Sequence, residues 1–309
     1  MNKAQMQIHW IFVIAAGSII LLFFFGFGLK YKDLETTKLN VEIAKHIGSS
    51  VSGLKTGEQF KTVKLNEKTK IDFSCDEFKI NNDFKYDWSE NIVFSPDAIN
   101  SDKFVVWTKK VQLPYSIDNI VIISDLSQKI YLIESEFSRS IKSLIPDDFT
   151  NVQLIQFDDL QDLNFKDSHN VKIVSFSESN SLNNYKNKDK MVYIDPEDYG
   201  RVHYTNEDYN FLGKSMIFAA IFSSNNSYSC SYNKLIKKIV LITDVYYYKA
   251  RYLQDCCSNF RCSYANVADV LSRFSNSVKN TDINNVNMVK NELISNNEDL
   301  YRKDCKVVF

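Results

Sequence analysis

Asp195, Asp198 and His203 form the densest group of proton-handling side chains in this sequence. They lie in Asp195-Pro196-Glu197-Asp198-Tyr199-Gly200, with His203 five residues after Asp198. Carboxylates beside an imidazole have the donors and acceptors that general acid–base work requires. The same residue types also build tight turns, because Asp-Pro and a closing Gly set turn geometry. A turn is the preferred reading. If the chain performs catalysis, these three residues are the candidates, since loops at strand ends often carry function.

Other chemistry finds less support. His169, in Lys-Asp-Ser-His-Asn, has no nucleophile elbow of the GxSxG kind nearby, and it reads as a structural or solvated loop residue. His46 follows Glu42 by four residues on a helical pattern, which makes an ordinary surface pair. Gly48-Ser-Ser-Val-Ser-Gly53-Leu54-Lys55-Thr56 resembles a phosphate loop, but Leu54 stands where the lysine must be. The segment also follows a helix rather than a strand, so its amides have no reason to converge on phosphate. No CxxC, HExxH or clustered-glycine fingerprint occurs, so neither a metal nor a cofactor is expected. Only 8 glycines and 4 prolines occur in 309 residues, which leaves little material for phosphate-cradling turns. A formal net charge of -1 provides no global basic field, and no nucleic-acid partner is expected.

The elements that must position Asp195 and His203 are strands. Met191–Ile194 and Arg201–Tyr204 read as strands around the Asp195–Gly200 loop. Upstream, Ile120–Ile123 is a run of β-branched residues, as in a strand buried on both faces. Further strands are expected at Asn91–Phe94, Phe104–Trp107, Lys129–Ile133, Val152–Phe157 and Val171–Phe176, and a helix at Phe137–Ile145 stopped by Pro146. Val63, Leu65, Ile71 and Phe73 alternate about Asn66–Thr69, which predicts a hairpin. Alternating strands and helices suggest an α/β fold, with α+β as the alternative, built on a mixed, largely parallel sheet. After residue 206 the periods are helical: Phe211–Phe222, then Leu235 to Leu253, Val267 to Val278 and Ile283 to Leu293. Tyr246, Tyr247, Tyr248 and Tyr252 lie on the longest of these helices. Tyr246 fits the core, and the others suit either core packing or a partner surface.

Ile8 to Leu29 contains no Lys, Arg, Asp or Glu over 22 residues, about 33 Å as a helix and enough to cross a ~30 Å hydrocarbon layer. The run is longer than the apolar region of a cleavable signal and lacks small residues at its end, so an uncleaved anchor is expected. The stretch after it carries Ile43, Ile47, Val51 and Leu54 at helical spacing and reads as a stalk. Lys30, Lys32, Lys38 and Lys45 after the span, against Lys3 before it, favour a cytoplasmic body. The cysteines argue the other way, because an even set of six without metal spacing suits disulfides in an oxidising compartment. Cys230 with Cys262, worth about 3–4 kcal/mol if geometry allows, and Cys75 with Cys305 are the candidate bridges. Six cysteines allow 15 pairings, so connectivity stays open, and adjacent Cys256 and Cys257 are not expected to pair with each other.

Lys3 to Val13, Phe73-Ser74-Cys75, Ile92 to Pro96, Val106-Trp107-Thr108, Asp195 to Gly200, Met216 to Ser223, and Cys230 together resemble segments of uncharacterised single-span membrane-anchored archaeal proteins. The resemblance implies an anchor plus an α/β domain, with no activity and no catalytic residue to carry over. The Lys3-Ala4/Gln5 junction is also similar to an archaeal prepilin cleavage site, although His9 stands where many pilins have Glu. The expected organisation is a tail at 1–7, a transmembrane helix at 8–29 and a stalk at 30–58. A strand-rich α/β domain at 59–205 and a helical part at 206–309 follow. The expected function is a single-pass cell-membrane protein with an extracytoplasmic binding or envelope-interaction domain. Its partners would be the lipid bilayer through 8–29 and either a protein or further copies of itself. A pilin-like assembly subunit and a membrane-tethered hydrolase or transferase are the alternatives.

Overall fold

A computed structural model describes residues 3–54, 57–160, 171–176, 190–205, 207–259 and 261–309. The first element is one unbroken helix, α1 (Lys3–Leu54), of 52 residues, about 78 Å long. Its two halves have different surroundings. From Val13 to Leu34 its large apolar side chains are exposed, by 50% at Val13 and 70% at Leu34. Among the described residues it is the one helix long and apolar enough to cross a membrane. Further along, Ile43, Ala44, Ile47, Val51 and Leu54 are buried on one face. The phosphate-loop-like residues from Gly48 to Leu54 are therefore the last two turns of α1.

That buried face of α1 packs on the first sheet. Its strands are β1 (Phe60–Phe73), β2 (Glu77–Ile80), β3 (Phe84–Asp87), β4 (Val93–Phe94), β5 (Ala98–Gln112) and β6 (Ser116–Asp125), in the order β3-β2-β1-β5-β6-β4. Side-chain alternation divides the central strands between two cores. Phe104, Val106, Val121 and Ile123 face α1, whereas Val105, Trp107, Ile120 and Ile122 face the opposite layer. Burial on both faces explains the unbroken Ile120–Ile123 run. The hairpin expected at Asn66–Thr69 does not form. β1 continues through this stretch against β5, with Lys64 opposite Lys103 and Thr69 opposite Ser101, so the intervening residues bulge. A bulge and a turn have the same local signature, and the length of β5 decides between them.

The second sheet contains β7 (Lys129–Ile133), β8 (Val152–Ile155), β9 (Val171–Ser175), β10 (Met191–Ile194), β11 (Tyr199–His203) and β12 (Asp208–Leu212). Its order is β12-β11-β10-β9-β7-β8. Helix α2 (Glu136–Ser143) lies between β7 and β8 and starts on a capping box of Ser135 and Ser138. The pairs β8–β7, β7–β9 and β9–β10 are parallel, and β10–β11 and β11–β12 are antiparallel. In the first sheet only β4–β6 is parallel. The fold is α/β, and the described residues form two sheets, where one mixed, largely parallel sheet was expected. Short connections enforce antiparallel pairing in the first sheet, and crossovers permit parallel pairing in the second.

The remaining elements are helical. Phe211–Phe222 is not one helix: Phe211 and Leu212 finish β12, and α3 (Lys214–Phe222) starts after Gly213. Gly213 has φ +94°, a backbone conformation that glycine alone adopts without strain. Every residue from Met216 to Phe222 is buried, and Phe218 packs edge-on to Trp107. Helices α4 (Asn225–Cys257), α5 (Ala265–Lys279) and α6 (Ile283–Arg302) follow, capped by Ser224 at α4 and Asp282 at α6. Their buried residues, among them Leu235, Ile239, Leu253, Leu271, Phe274, Val289 and Leu293, share one core with both sheets.

The bridges are Cys75–Cys230 and Cys262–Cys305, with Cα–Cα distances of 5.8 and 5.7 Å. They replace the expected Cys230–Cys262 and Cys75–Cys305 pairs. Cys230 lies near the start of α4 and Cys262 beyond its end, so the helix separates them by roughly 40 Å. The start of α4 rests instead on the β1–β2 turn. There Lys234 donates to the Cys75 carbonyl at 2.8 Å and pairs with Asp76 at 2.7 Å. Cys256 and Cys257 also pair with each other, against expectation, in the last turn of α4.

Candidate functional site

The Asp195–His203 segment forms a β-hairpin between β10 and β11, in which Tyr193 pairs with His203 and Ile194 with Val202. Asp195 folds back over the turn. Its Oδ2 accepts the Arg201 N–H at 2.7 Å, and its own N–H donates to the Arg201 carbonyl at 3.0 Å. Gly200 makes room for this, because a Cβ there would stand 2.6 Å from the Asp195 Cβ. His203 Nδ1 lies 2.9 Å from Asp208 Oδ1, and its Nε2 lies 3.7 Å from Asp195 Oδ1. Tyr193 stacks on the imidazole with centroids 5.1 Å apart.

The structure thus brings Asp195 and His203 together and leaves Asp198 apart. The Asp198 carboxylate faces Lys214 Nζ at 3.6 Å, and its carbonyl accepts the Gly213 N–H at 2.7 Å. Asp208 takes the place expected for Asp198. It sits directly across the β11–β12 ladder from His203, a register that sequence spacing does not reveal. An imidazole between two carboxylates has the donors and acceptors that acid–base work requires. Yet all three carboxylates and the imidazole are partly exposed at the edge of a turn. The arrangement does the structural work of a turn and a strand pair. Among the described residues, no three His, Cys, Asp or Glu side chains converge as metal ligands. His169 lies outside the described residues.

A second polar group is better enclosed. A cleft of 650 Å³ opens between the start of β9, the start of β10, the end of β11 and the α3–α4 junction; Asp97, Lys172, Tyr204, Ser223 and Asn225 line it. Lys172 is only 8% exposed. Its Nζ donates to the Ala220 and Ser223 carbonyls at 2.6 and 2.5 Å, which closes the C-terminus of α3. Burial pushes the Lys172 ammonium down to about 7, and the charge of Asp97 opposes that shift. The Tyr204 ring lies 5.6 Å from the ammonium. Its hydroxyl, Ser223 Oγ and Asn225 Oδ1 are buried and make no hydrogen bond of ordinary geometry. Burial drives the Tyr204 phenol well above its usual range, with Ser223 beside it opposing.

This cleft offers the Lys172 amine, two hydroxyls and an amide oxygen beside the first turn of α4. Ser224 caps that helix start by accepting the Ser227 N–H at 3.2 Å, and the polar lining beside it suits a polar ligand. Sequence reading passed over Lys172. The available signal was a lone lysine in the second position of the otherwise apolar Val171–Phe176 run. Compared with known proteins, the chain matches no family model, no curated protein and no solved structure.

Proposed function

We propose that this chain is a single-span membrane protein, held in the lipid bilayer by residues 8–29, with an extracytoplasmic body that serves in binding or envelope interaction. The observation that carries the reading is the division of α1. Its second half is fixed in the core, while Val13, Ile14, Ile19 to Phe25, Phe27 and Leu29 are each at least half exposed. Apolar surface in water costs about 25 cal/mol per Å², and a patch this continuous marks an interaction surface. A hydrocarbon layer is the environment that satisfies all sides of such a helix at once. The disulfides support the oxidising side of the membrane, and two of them tie together segments far apart in sequence. The Lys172 cleft is the face we assign to binding.

The test is made on the full chain in intact cells. The chain stays with the membrane after alkaline extraction. A membrane-impermeant maleimide labels no cysteine until an impermeant reductant is added, and then labels from outside. Labelling that needs no reductant but requires breaching the membrane would place the body in the cytoplasm and sink the reading.

A pilin-like assembly subunit is the second reading. It is favoured by the absence of any break in α1 between its exposed half and its packed half. A mature chain beginning at Gln5 would support it, and an intact Met1 to Leu29 on the protein in membranes would count against it.

A further inference from the structure

Helix α4 carries an uncovered stripe on its outer face. Leu241, Val245, Tyr248 and Tyr252 are each 60–70% exposed. Their spacing of four, three and four is the alternation of core positions in a helix pair. With Lys238 before them and Asp255 after them, the six residues fall within an arc of roughly 100° on the helix. The tyrosines of this helix are therefore divided by function. Tyr246 packs inward on Tyr115 and Phe309, with centroids 4.3 and 5.8 Å away, while Tyr248 and Tyr252 point out.

We propose that this stripe is a self-association surface, on which α4 of a second copy of the chain lies antiparallel. Register, charge and length all favour this pairing. Consider a two-fold axis passing between Tyr246 and Tyr247. It places Leu241 opposite Tyr252 of the other copy and Val245 opposite Tyr248, so that apolar layers form with a large ring in each. The same axis places Lys238 opposite Asp255. Antiparallel pairing thus closes both ends of the stripe with opposite charges, whereas parallel pairing sets Lys238 against Lys238 and Asp255 against Asp255. Lys238 reaches only Asp118, at 3.3 Å, within its own chain, and its side chain is still 43% exposed.

Length supports the same arrangement. On the N-terminal side, Lys234 lies on the same arc but is covered by the β1–β2 turn, through Cys75 and Asp76. On the C-terminal side, α4 ends at Cys257. In the proposed register the end of one helix falls just short of the covered turn of the other. The free faces therefore match end to end without a clash. This surface involves neither the exposed half of α1 nor the Lys172 cleft, so it does not depend on the membrane reading.

The test uses the full chain in lipid nanodiscs. All six native cysteines are bonded, so introduced cysteines are the reactive thiols. Leu241→Cys and Tyr252→Cys in one chain lie about 16 Å apart along the helix, too far to bond within it. Mild oxidation converts this double variant to a disulfide-linked dimer, while Leu241→Cys alone links at least roughly tenfold less, because antiparallel copies hold the two Leu241 positions apart. Adding Val245→Glu and Tyr248→Glu abolishes the linked dimer and leaves the unfolding midpoint unchanged, since both side chains are exposed. Asp255→Lys reduces linking, and adding Lys238→Glu to it restores linking, as a reciprocal charge pair requires. The proposal is overturned if the double variant stays monomeric, if Leu241→Cys alone links equally well, or if the thiols capture a different protein instead of a second copy.

Discussion

Lys172 brings an ammonium into a place where burial disfavours charge, and two opposing effects decide its state. Burial lowers its affinity for a proton, to a pKa of about 7. The carbonyls of Ala220 and Ser223 at the C-terminal end of α3 favour the cation. An unfolded lysine titrates near 10.4. Between about pH 7 and pH 10 the unfolded chain therefore holds a proton that the folded chain has released, so this group makes stability rise with pH across that window. Lys172→Met keeps the length of the side chain and removes the titration. Urea unfolding of both proteins with disulfides intact should show the substitution costing more at pH 9.5 than at pH 6.5, by more than about 1.4 kcal/mol, the worth of one pKa unit. A cost independent of pH would show that the carbonyls win and the ammonium stays charged. The neighbouring hydroxyls of Tyr204 and Ser223 complete a cluster whose members come from β9, β11 and the α3–α4 junction. Three separate elements contribute, which is why no local motif announced it.

At the scale of elements, the disulfides should differ in weight according to the chain they close. Cys75–Cys230 spans 155 residues and Cys262–Cys305 spans 43. Chain entropy gives about 5 and about 4 kcal/mol for loops of these lengths, as upper estimates. Cys256–Cys257 closes no loop between elements. Replacing Cys75 and Cys230 by Ser should lower the unfolding free energy by about 2–5 kcal/mol, whereas the same change at Cys256 and Cys257 should stay within about 0.5 kcal/mol. Equal effects in the two variants would mean that the long bridge does not constrain the unfolded chain. The element scale is also where sequence reading was most and least informative. Ile120–Ile123, Val171–Phe176 and the α4–α6 periods were legible because burial writes a repeating apolar pattern. The β10–β11 hairpin was legible because Asp-Pro and Gly200 punctuate it. The bulge in β1, the opposition of His203 to Asp208 and the bridge partners were not legible. Each depends on which distant strand or helix end arrives alongside, and no local period encodes that.

At the scale of the whole molecule, α1 runs unbroken from an exposed apolar stretch into the core, and the two stretches should be energetically separable. The large apolar side chains from Val13 to Leu34 are exposed by half or more, whereas Ile43 to Leu54 fill the core between α1 and the first sheet. Removing residues 3–32 deletes the membrane-compatible half and touches none of that core. The remaining helix still presents Ile43, Ala44, Ile47, Val51 and Leu54 to the first sheet, where α1 meets β1, β3 and β5, so its register on the sheet is kept. The shortened chain should therefore be extracted without detergent and unfold with a free energy within about 0.5 kcal/mol of the full chain, the usual reach of changes away from packed sites. Ile47→Ala in the same background deletes a fully buried side chain and should cost about 2–5 kcal/mol. Tryptophan fluorescence can follow both changes. Trp10 leaves with the deleted segment, while Trp88 and Trp107 are buried, one in the core beneath α1 and the other in the core shared with α3. A shortened chain with solvent-exposed tryptophans before any urea is added would mean that the apolar half of α1 holds the body together, and its role as a separable anchor would have to be abandoned.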